Sequence, residues 1–217
     1  MSLVYGDTAD SLDNRRDFLA GLGIDYRGLV CARQVHGKRV ECAEASDRGR
    51  GALAQEDAFG DTDALITATR GLALAVFTAD CLSVFIYDPV NQAIGLVHAG
   101  WKGTREGIVG LAVSAMREKF NSKPLDLLAG LGSCIRPCCY RVGGEFRDFF
   151  PSGLVARDGG YYLDLAGINR DLLLDSGMRP ENISDSGLCT YCRPAEFFSY
   201  RRQGPSCGRM MSVMMLK

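Results

Sequence analysis

The chain contains only two histidines, and each lies at the end of a predicted strand, close to a glycine. His36 is followed by Gly37, His98 precedes Gly100 by two residues, and Cys81 follows a third apolar strand. Side chains from different segments converge at strand ends, and glycine lets the backbone approach a ligand closely. Two imidazoles and one thiolate leave one tetrahedral position open, as at catalytic zinc sites. We therefore predict that His36, Cys81 and His98 form one metal-binding active site.

Three other interpretations of these residues stay open. The same ligands suit a blue-copper site, which also needs a weak axial group, but none of the seven methionines can be assigned to that role. Without a metal, Cys81 could act as a nucleophile with His98 as its base. The histidines could also be ordinary hydrogen-bonded residues, with Cys81 a small core side chain.

The segment after the second histidine resembles an anion-binding loop. A glycine-containing turn leads directly into a predicted helix, whose free N–H groups and dipole favour an anion. Since Lys102 adds positive charge, we predict that Gly100, Lys102 and Gly103 bind substrate or phosphate; an ordinary capping turn is the alternative. Asp80, beside Cys81, could serve as a catalytic acid or base.

Five further cysteines fall into two groups, Cys134 with Cys138 and Cys139, and Cys189 with Cys192. A C-x-x-C spacing is typical of zinc half-sites and of redox pairs, so the two groups could meet as a structural zinc site. Because the groups are far apart in sequence and the first is irregular, we expect buried or inert thiols instead.

Composition limits the classes of partner. The formal net charge is -1 and the pI is near 6.1, which favours neither nucleic acid nor an anionic membrane as a partner. No apolar run is long enough to span a membrane, and residues 1–7 lack the features of a signal peptide. The nine cysteines favour reduced thiols, so we expect a cytoplasmic protein that acts on a small molecule. Whether it forms a homodimer is left open.

Apolar spacing predicts strands and helices that mix without strict βαβ alternation. The predicted helices cover residues 10–22, 103–120 and 165–176, and the main predicted strands cover 64–68, 72–77, 82–87, 93–98, 125–131 and 210–216. Strands that are apolar on both faces indicate a sheet covered on both sides. We expect an α+β fold, a single layered domain over residues 1–217 in which helices flank mixed β-sheets.

Several motifs make the chain resemble the YfiH/YlmD family of laccase-domain proteins, once called multicopper polyphenol oxidases. The motifs occur in the family's order, at residues 34–37, 63–67, 78–81, 88–89, 98–104, 138–140, 189–191, 197–202 and 208–210. Members of the family include purine nucleoside phosphorylases and peptidoglycan editing factors. The resemblance implies a laccase-like fold related to the cytotoxic-necrotizing-factor type of cysteine hydrolase.

The resemblance also implies an enzymatic activity. The expected reactions are phosphorolysis of adenosine, inosine and methylthioadenosine to base and ribose-1-phosphate, and deamination of adenosine. The resemblance assigns zinc to His36, Cys81 and His98, and it places Arg33 and Lys102 near the phosphate or sugar. Copper is less favoured, because a multicopper cluster needs many imidazoles and the chain has two. A metal-free Cys/His hydrolase, a cell-wall precursor editing factor and a copper polyphenol oxidase are the alternatives.

The chain departs from the family pattern in three ways. It is N-terminally short, since its first predicted helix begins at about residue ten, where the family has a longer preceding segment. Arg136 and Arg141 stand where the family usually has Gly and Glu, and Gln203 replaces a usual Asp. We expect these differences to affect the choice of substrate.

Overall fold

A computed structural model describes residues 1–3 and 8–217 of the chain. The segment 1–7, on which the signal-peptide prediction rests, therefore lies mostly outside the described residues. The helices of the described part are α1 Thr8–Ala20, α2 Trp101–Arg105, α3 Ile108–Phe120, α4 Phe146–Phe149, α5 Leu165–Asp175 and α6 Tyr200–Gln203. The strands are β1 Leu29–Cys31, β2 Val40–Cys42, β3 Ala64–Thr67, β4 Ala73–Thr78, β5 Leu82–Asp88, β6 Ala93–Ala99, β7 Leu128–Leu131, β8 Arg141–Val142, β9 Leu154–Arg157, β10 Gly160–Leu163, β11 Ile183–Asp185 and β12 Met210–Met215. In this part of the chain, no helix combines the length and apolar character needed to cross a membrane.

The strands form mixed sheets, as predicted. The central sheet has the order β11-β7-β5-β6-β3-β2, with parallel pairs at its two edges and antiparallel pairs between them. A second sheet has the order β1-β4-β12, and a small third sheet has the order β8-β10-β9. Mixed sheets flanked by helices confirm the predicted α+β class.

Both faces of the central sheet are buried. Successive residues of each strand point to opposite sides, and each set packs into its own core. On one face, Val97 belongs to a core that includes Met116 of α3 and residues of α5. On the other face, Leu96 packs in a core with Leu74 of the second sheet. Helix α1 covers the outer face of that second sheet through Leu19. The resulting helix–sheet–sheet–helix layers bring the ends of several strands together.

Two predicted elements differ from the observed ones because of local backbone chemistry. The helix predicted over 103–120 begins earlier, at Trp101, and is broken at Gly107, which has φ 75° and ψ 29°. This left-handed conformation suits glycine and interrupts a helix. The strand predicted from Leu125 begins at Leu128, because Pro124 opens a short 3-10 turn that leaves Leu125 exposed.

The buried face of α1 does not follow its apolar residues. Phe18 and Leu22 are exposed, while Ser11, Arg15 and Leu19 are buried. The Arg15 guanidinium is satisfied by the carbonyl oxygens of residues 1, 51 and 52, at 2.5–3.3 Å. A buried arginine with this many acceptors cannot be predicted from hydrophobic periodicity.

Candidate metal centre

The predicted ligands converge on one point. The side-chain donor atoms of His36, Cys81 and His98 all lie within 4.8 Å of one another. Sγ of Cys81 is 3.7 Å from Nε2 of His36, and the two imidazole rings have centroids 4.8 Å apart at an interplanar angle of 75°. The arrangement provides two nitrogens and one sulfur around a single point, which is the donor set of an open, catalytic type of zinc site.

Strand register brings Cys81 beside His98. In the antiparallel pair β5–β6, Leu82 lies opposite Ala99 and Ser83 lies opposite His98. Cys81, immediately before Leu82, is therefore held at the same edge of the sheet as His98, as expected for the two ends of a hairpin. His36 reaches this edge from the loop between β1 and β2, so it joins the second sheet to the central one.

Asp63 orients two of the candidate ligands, a role that sequence analysis missed. Its carboxylate lies 2.7 Å from Nδ1 of His98, so Nε2 of that ring is left to face Cys81. The carboxylate also accepts backbone N–H groups from Val35, His36 and Gly37 at 2.7–3.2 Å. These bonds hold His36 at φ 61°, a conformation that is strained for a residue with a side chain. One sign of this role was visible in the sequence: the acidic Asp63 directly precedes an apolar segment, which forms the wholly buried strand β3.

The charges at the centre favour a thiolate. Burial by itself raises the pKa of the Cys81 thiol, but the charge of His98 and hydrogen bonds from both histidines outweigh burial and lower this pKa to about 6. Burial likewise lowers the pKa of His98, but the Cys81 thiolate and the Asp63 hydrogen bond raise it to about 9. A thiolate is the form of cysteine that binds metals and attacks electrophiles. Metal binding at His98 would displace the proton of its second ring nitrogen.

The predicted anion-loop glycines are required by close packing at the centre. A Cβ atom at Gly100 would lie 2.7 Å from Cδ2 of His36 and 3.1 Å from Sγ of Cys81. A Cβ atom at Gly103 would lie 2.7 Å from the carbonyl oxygen of Gly37. The absence of side chains at these two positions therefore lets the ligand loops approach α2. Their predicted role in phosphate binding stays a prediction.

Asp80 has its carboxylate occupied by structural hydrogen bonds. Its Oδ1 accepts the Thr190 hydroxyl at 2.6 Å, and its Oδ2 accepts the Ser199 hydroxyl at 3.0 Å and the backbone N–H of Arg201 at 2.7 Å. Asp80 is 8% exposed and has φ 85°. This geometry joins the residue before Cys81 to two late segments of the chain, and it favours a positioning role over the predicted acid or base role.

A cleft of about 670 Å³ opens over the three candidate ligands. The side chains of Arg33, Arg201 and Arg209 line it and provide positive charge. Its aromatic lining residues are Phe77, Trp101, Tyr140 and Tyr200. Of the three arginines, only Arg33 was predicted as a site residue. Arg201 and Arg209 belong to the C-terminal region, and the tertiary fold brings them to the cleft.

Lys102 is not among the residues that line the cleft. It is exposed on α2, with its Nζ 5.6 Å from the ring centroid of Trp101. Arg33 does line the cleft, where its guanidinium makes a 2.8 Å ion pair with the exposed carboxylate of Asp61. The structure thus brings one of the two predicted cationic side chains to the cleft.

Two residues that depart from the family pattern have structural partners. Arg136 forms a bidentate ion pair with Asp185, which lowers the pKa of that carboxyl. The Gln203 amide oxygen accepts the backbone N–H of Ser199 at 3.0 Å, so it supports the residue whose hydroxyl binds Asp80.

Comparisons with known proteins agree with the fold and the motifs described above. Residues 1–217 match the family described as multi-copper polyphenol oxidoreductase laccase. The chain is 38% identical over 222 residues to the purine nucleoside phosphorylase YlmD of Bacillus subtilis (strain 168), an alignment that covers 99% of this chain and 80% of that protein. It is 32% identical over 216 residues to the adenosine deaminase RL5 of an unknown prokaryotic organism, covering 95% of this chain and 82% of that protein.

A solved structure, that of the hypothetical protein YfiH of Bacillus licheniformis, superposes with a TM-score of 0.94 at 35% identity, covering 97% of this chain and 82% of that one. The names of the relatives support the prediction of an enzyme of the purine nucleoside phosphorylase and adenosine deaminase type. The match over 1–217 and the similarity to YlmD and YfiH confirm the resemblance found in the motifs: the chain belongs to the laccase-like YfiH/YlmD family.

Proposed function

We propose that the protein is a zinc-dependent purine nucleoside enzyme, which cleaves adenosine, inosine and methylthioadenosine with phosphate and deaminates adenosine. The observation that carries the proposal is the convergence of His36, Cys81 and His98 at a cleft lined by arginine and aromatic side chains. The activities named for the relatives YlmD and RL5 support the same substrate class.

The residues of the cleft match the parts of the substrates. Tyr140 and Tyr200 line the cleft and would provide aromatic surface for a flat purine base, and the guanidinium groups of Arg201 and Arg209 lie over their rings. The guanidinium groups of Arg33 and Arg201 suit a phosphate, because their planar donors bind such oxygens in pairs. A bound zinc ion would supply Lewis-acid polarisation of an oxygen and would lower the pKa of a coordinated water. Asp63 holds the His98 ring so that its Nε2 faces the centre.

Copper oxidation of phenols fits the residues poorly, despite the family's description. A multicopper cluster requires many imidazole ligands, and the whole chain has two histidines. We therefore assign the centre to zinc.

A direct test incubates the zinc-loaded protein with adenosine or inosine, with and without inorganic phosphate, and separates the products by chromatography. We expect free base and ribose-1-phosphate only when phosphate is present, and inosine from adenosine in either case. A zinc-loaded protein that converts no purine nucleoside would disprove the proposal.

A pair of variants locates the phosphate. Arg201→Ala removes a charged donor from the cleft but keeps the backbone N–H that binds Asp80, whereas Lys102→Ala removes a charge outside the lining. We expect the KM for phosphate to rise roughly 10- to 100-fold in Arg201→Ala, the loss typical of a hydrogen bond to a charged group, and to change little in Lys102→Ala. The reverse pattern would support the loop after His98 as the phosphate site.

The thiolate character of Cys81 favours a second candidate, a metal-free Cys/His hydrolase with Cys81 as nucleophile and His98 as base. Removal of metal by a chelator separates the two candidates. Activity that disappears with the metal and returns with added zinc supports the zinc enzyme, and activity that survives complete removal of metal supports the thiol mechanism.

A further inference from the structure

A second set of thiols converges away from the candidate active site. Sγ atoms of Cys138, Cys139, Cys189 and Cys192 all lie within 4.8 Å of one another. The two groups of cysteines, expected from sequence to be buried or inert thiols, thus meet in space despite the long separation between them. Only Cys134 stays apart, buried in the core with a short backbone bridge to Cys189.

We propose that these four cysteines form a structural tetrathiolate zinc site, distinct from the His36/Cys81/His98 centre. In a tetrahedral Zn²⁺ site with Zn–S bonds of about 2.3 Å, neighbouring sulfurs are about 3.8 Å apart. Sγ of Cys192 lies 3.7 Å from that of Cys138 and 3.3 Å from that of Cys139, so it is close to both rather than paired with one. Four soft sulfur donors around one point favour zinc over harder divalent cations.

The backbone around Cys189 is held in place by a neighbouring segment. A short parallel bridge pairs Cys134 with Cys189, and the N–H of Thr190 donates to the carbonyl of Cys134 at 3.1 Å. The C-x-x-C spacing lets the loop from Cys189 to Cys192 present both of its thiols to the same point, as in zinc half-sites.

The neighbouring segments fix both halves of the cluster. The N–H of Cys139 donates to the carbonyl of Arg136 at 2.8 Å, which closes the turn that carries Cys138 and Cys139. The Arg202 guanidinium donates to the carbonyls of Thr190 and Tyr191 at 3.0 and 2.7 Å and braces the other half. Arg157 donates to the carbonyl of Cys138 at 3.1 Å.

The location explains what such a site would do. Thr190, next to Cys189, donates its hydroxyl to Asp80, which directly precedes the active-site Cys81. The four thiols join the loop after β7 to the segment that leads into α6. At the start of that helix, the Ser199 hydroxyl and the backbone N–H of Arg201 donate to Asp80. A zinc ion there would tie together the chain segments that form one wall of the cleft.

The test measures zinc by elemental analysis in protein purified under reducing conditions. We expect two equivalents of zinc per chain in the wild type, and one equivalent in Cys192→Ser and in Cys81→Ser. Cys42→Ser is the control, because Cys42 belongs to neither cluster, and it should retain two equivalents. Wild-type protein with a single equivalent that Cys81→Ser removes and Cys192→Ser retains would overturn the proposal.

Two measurements on the wild type avoid dependence on the folding of variants. Cobalt substitution should produce the sulfur-to-metal charge-transfer and visible bands of a tetrahedral tetrathiolate in addition to those of a mixed nitrogen–sulfur site. Titration with an organomercurial should release zinc in two phases. A disulfide between Cys192 and Cys138 or Cys139 in freshly purified, metal-free protein, seen by mass spectrometry of its peptides, would instead identify the cluster as a redox pair.

Discussion

Nδ1 of His98 lies 2.7 Å from Oδ1 of Asp63, and the two side chains are almost wholly buried. A carboxylate that accepts the second N–H of a metal-binding histidine fixes its tautomer and its ring orientation. Burial by itself raises the pKa of Asp63, but the hydrogen bond and charge of His98, with backbone N–H groups, outweigh burial and lower it. The same carboxylate holds the loop of His36, so one buried acid positions both histidines.

Asp63→Asn should weaken metal binding by about 10- to 100-fold, because the amide cannot accept all the donors that the carboxylate accepts. Competition with a coloured chelator measures this affinity. Asp88→Asn is a matched control, since Asp88 is also a buried aspartate whose carboxylate accepts backbone N–H groups, but it ends strand β5, outside the centre. Equal loss of metal affinity in the two variants would show that the effect arises from general destabilisation.

Gly100→Ala should disrupt the centre by overpacking. The added Cβ would collide with His36 and crowd the sulfur of Cys81, which costs about 1–3 kcal/mol or displaces a ligand. We expect lower zinc content and activity, measured together with the melting temperature. Gly144→Ala is the control, because a Cβ there meets no atom within 4 Å. Full zinc content in Gly100→Ala would contradict the close packing described here.

Cys81 should remain reactive at unusually low pH in protein stripped of metal. A pKa lowered to about 6 means that the thiolate persists above that pH and is lost as the pH falls through it. The rate of alkylation by iodoacetamide, followed by peptide-resolved mass spectrometry, should therefore be flat above about pH 7 and fall below about pH 6. Cys42 is the internal control, because burial raises its pKa and its alkylation should increase only in alkaline solution. Parallel pH profiles for the two thiols would contradict the assigned thiolate.

The variant Asp80→Asn distinguishes a positioning role of Asp80 from a role in proton transfer. An asparagine oxygen can still accept Ser199 and Arg201, and its amide can donate to the Thr190 oxygen, so a positioning residue tolerates the change. We expect activity within about tenfold of wild type with an unchanged pH profile, and a larger loss in Asp80→Ala. Thr190→Val, which removes one partner, should resemble Asp80→Asn. Loss of the acidic limb of the pH profile in Asp80→Asn would instead establish the acid or base role predicted from sequence.

Long, strongly patterned elements were predictable from the sequence. The hairpin β5–β6 and helix α5 lie close to their predicted positions, because apolar runs between clear turn residues allow few alternatives. The strands of the small third sheet and the edge strand β11 were not predicted. They are short, and β9 is mostly exposed, so their pairing partners rather than their own composition make them strands.

The sequence alone indicated the donor set of the candidate metal centre. With two histidines in the chain, each at a strand end near glycine, few other imidazole sites were available, and a multicopper cluster was excluded by ligand count. Only the tertiary structure decided which residues support that centre. Asp63, Arg201 and the partners of Asp80 act through contacts between segments far apart in the chain, and so do the four clustered thiols. Local periodicity reports which face of an element is buried, whereas such contacts depend on how sheets and loops pack against one another.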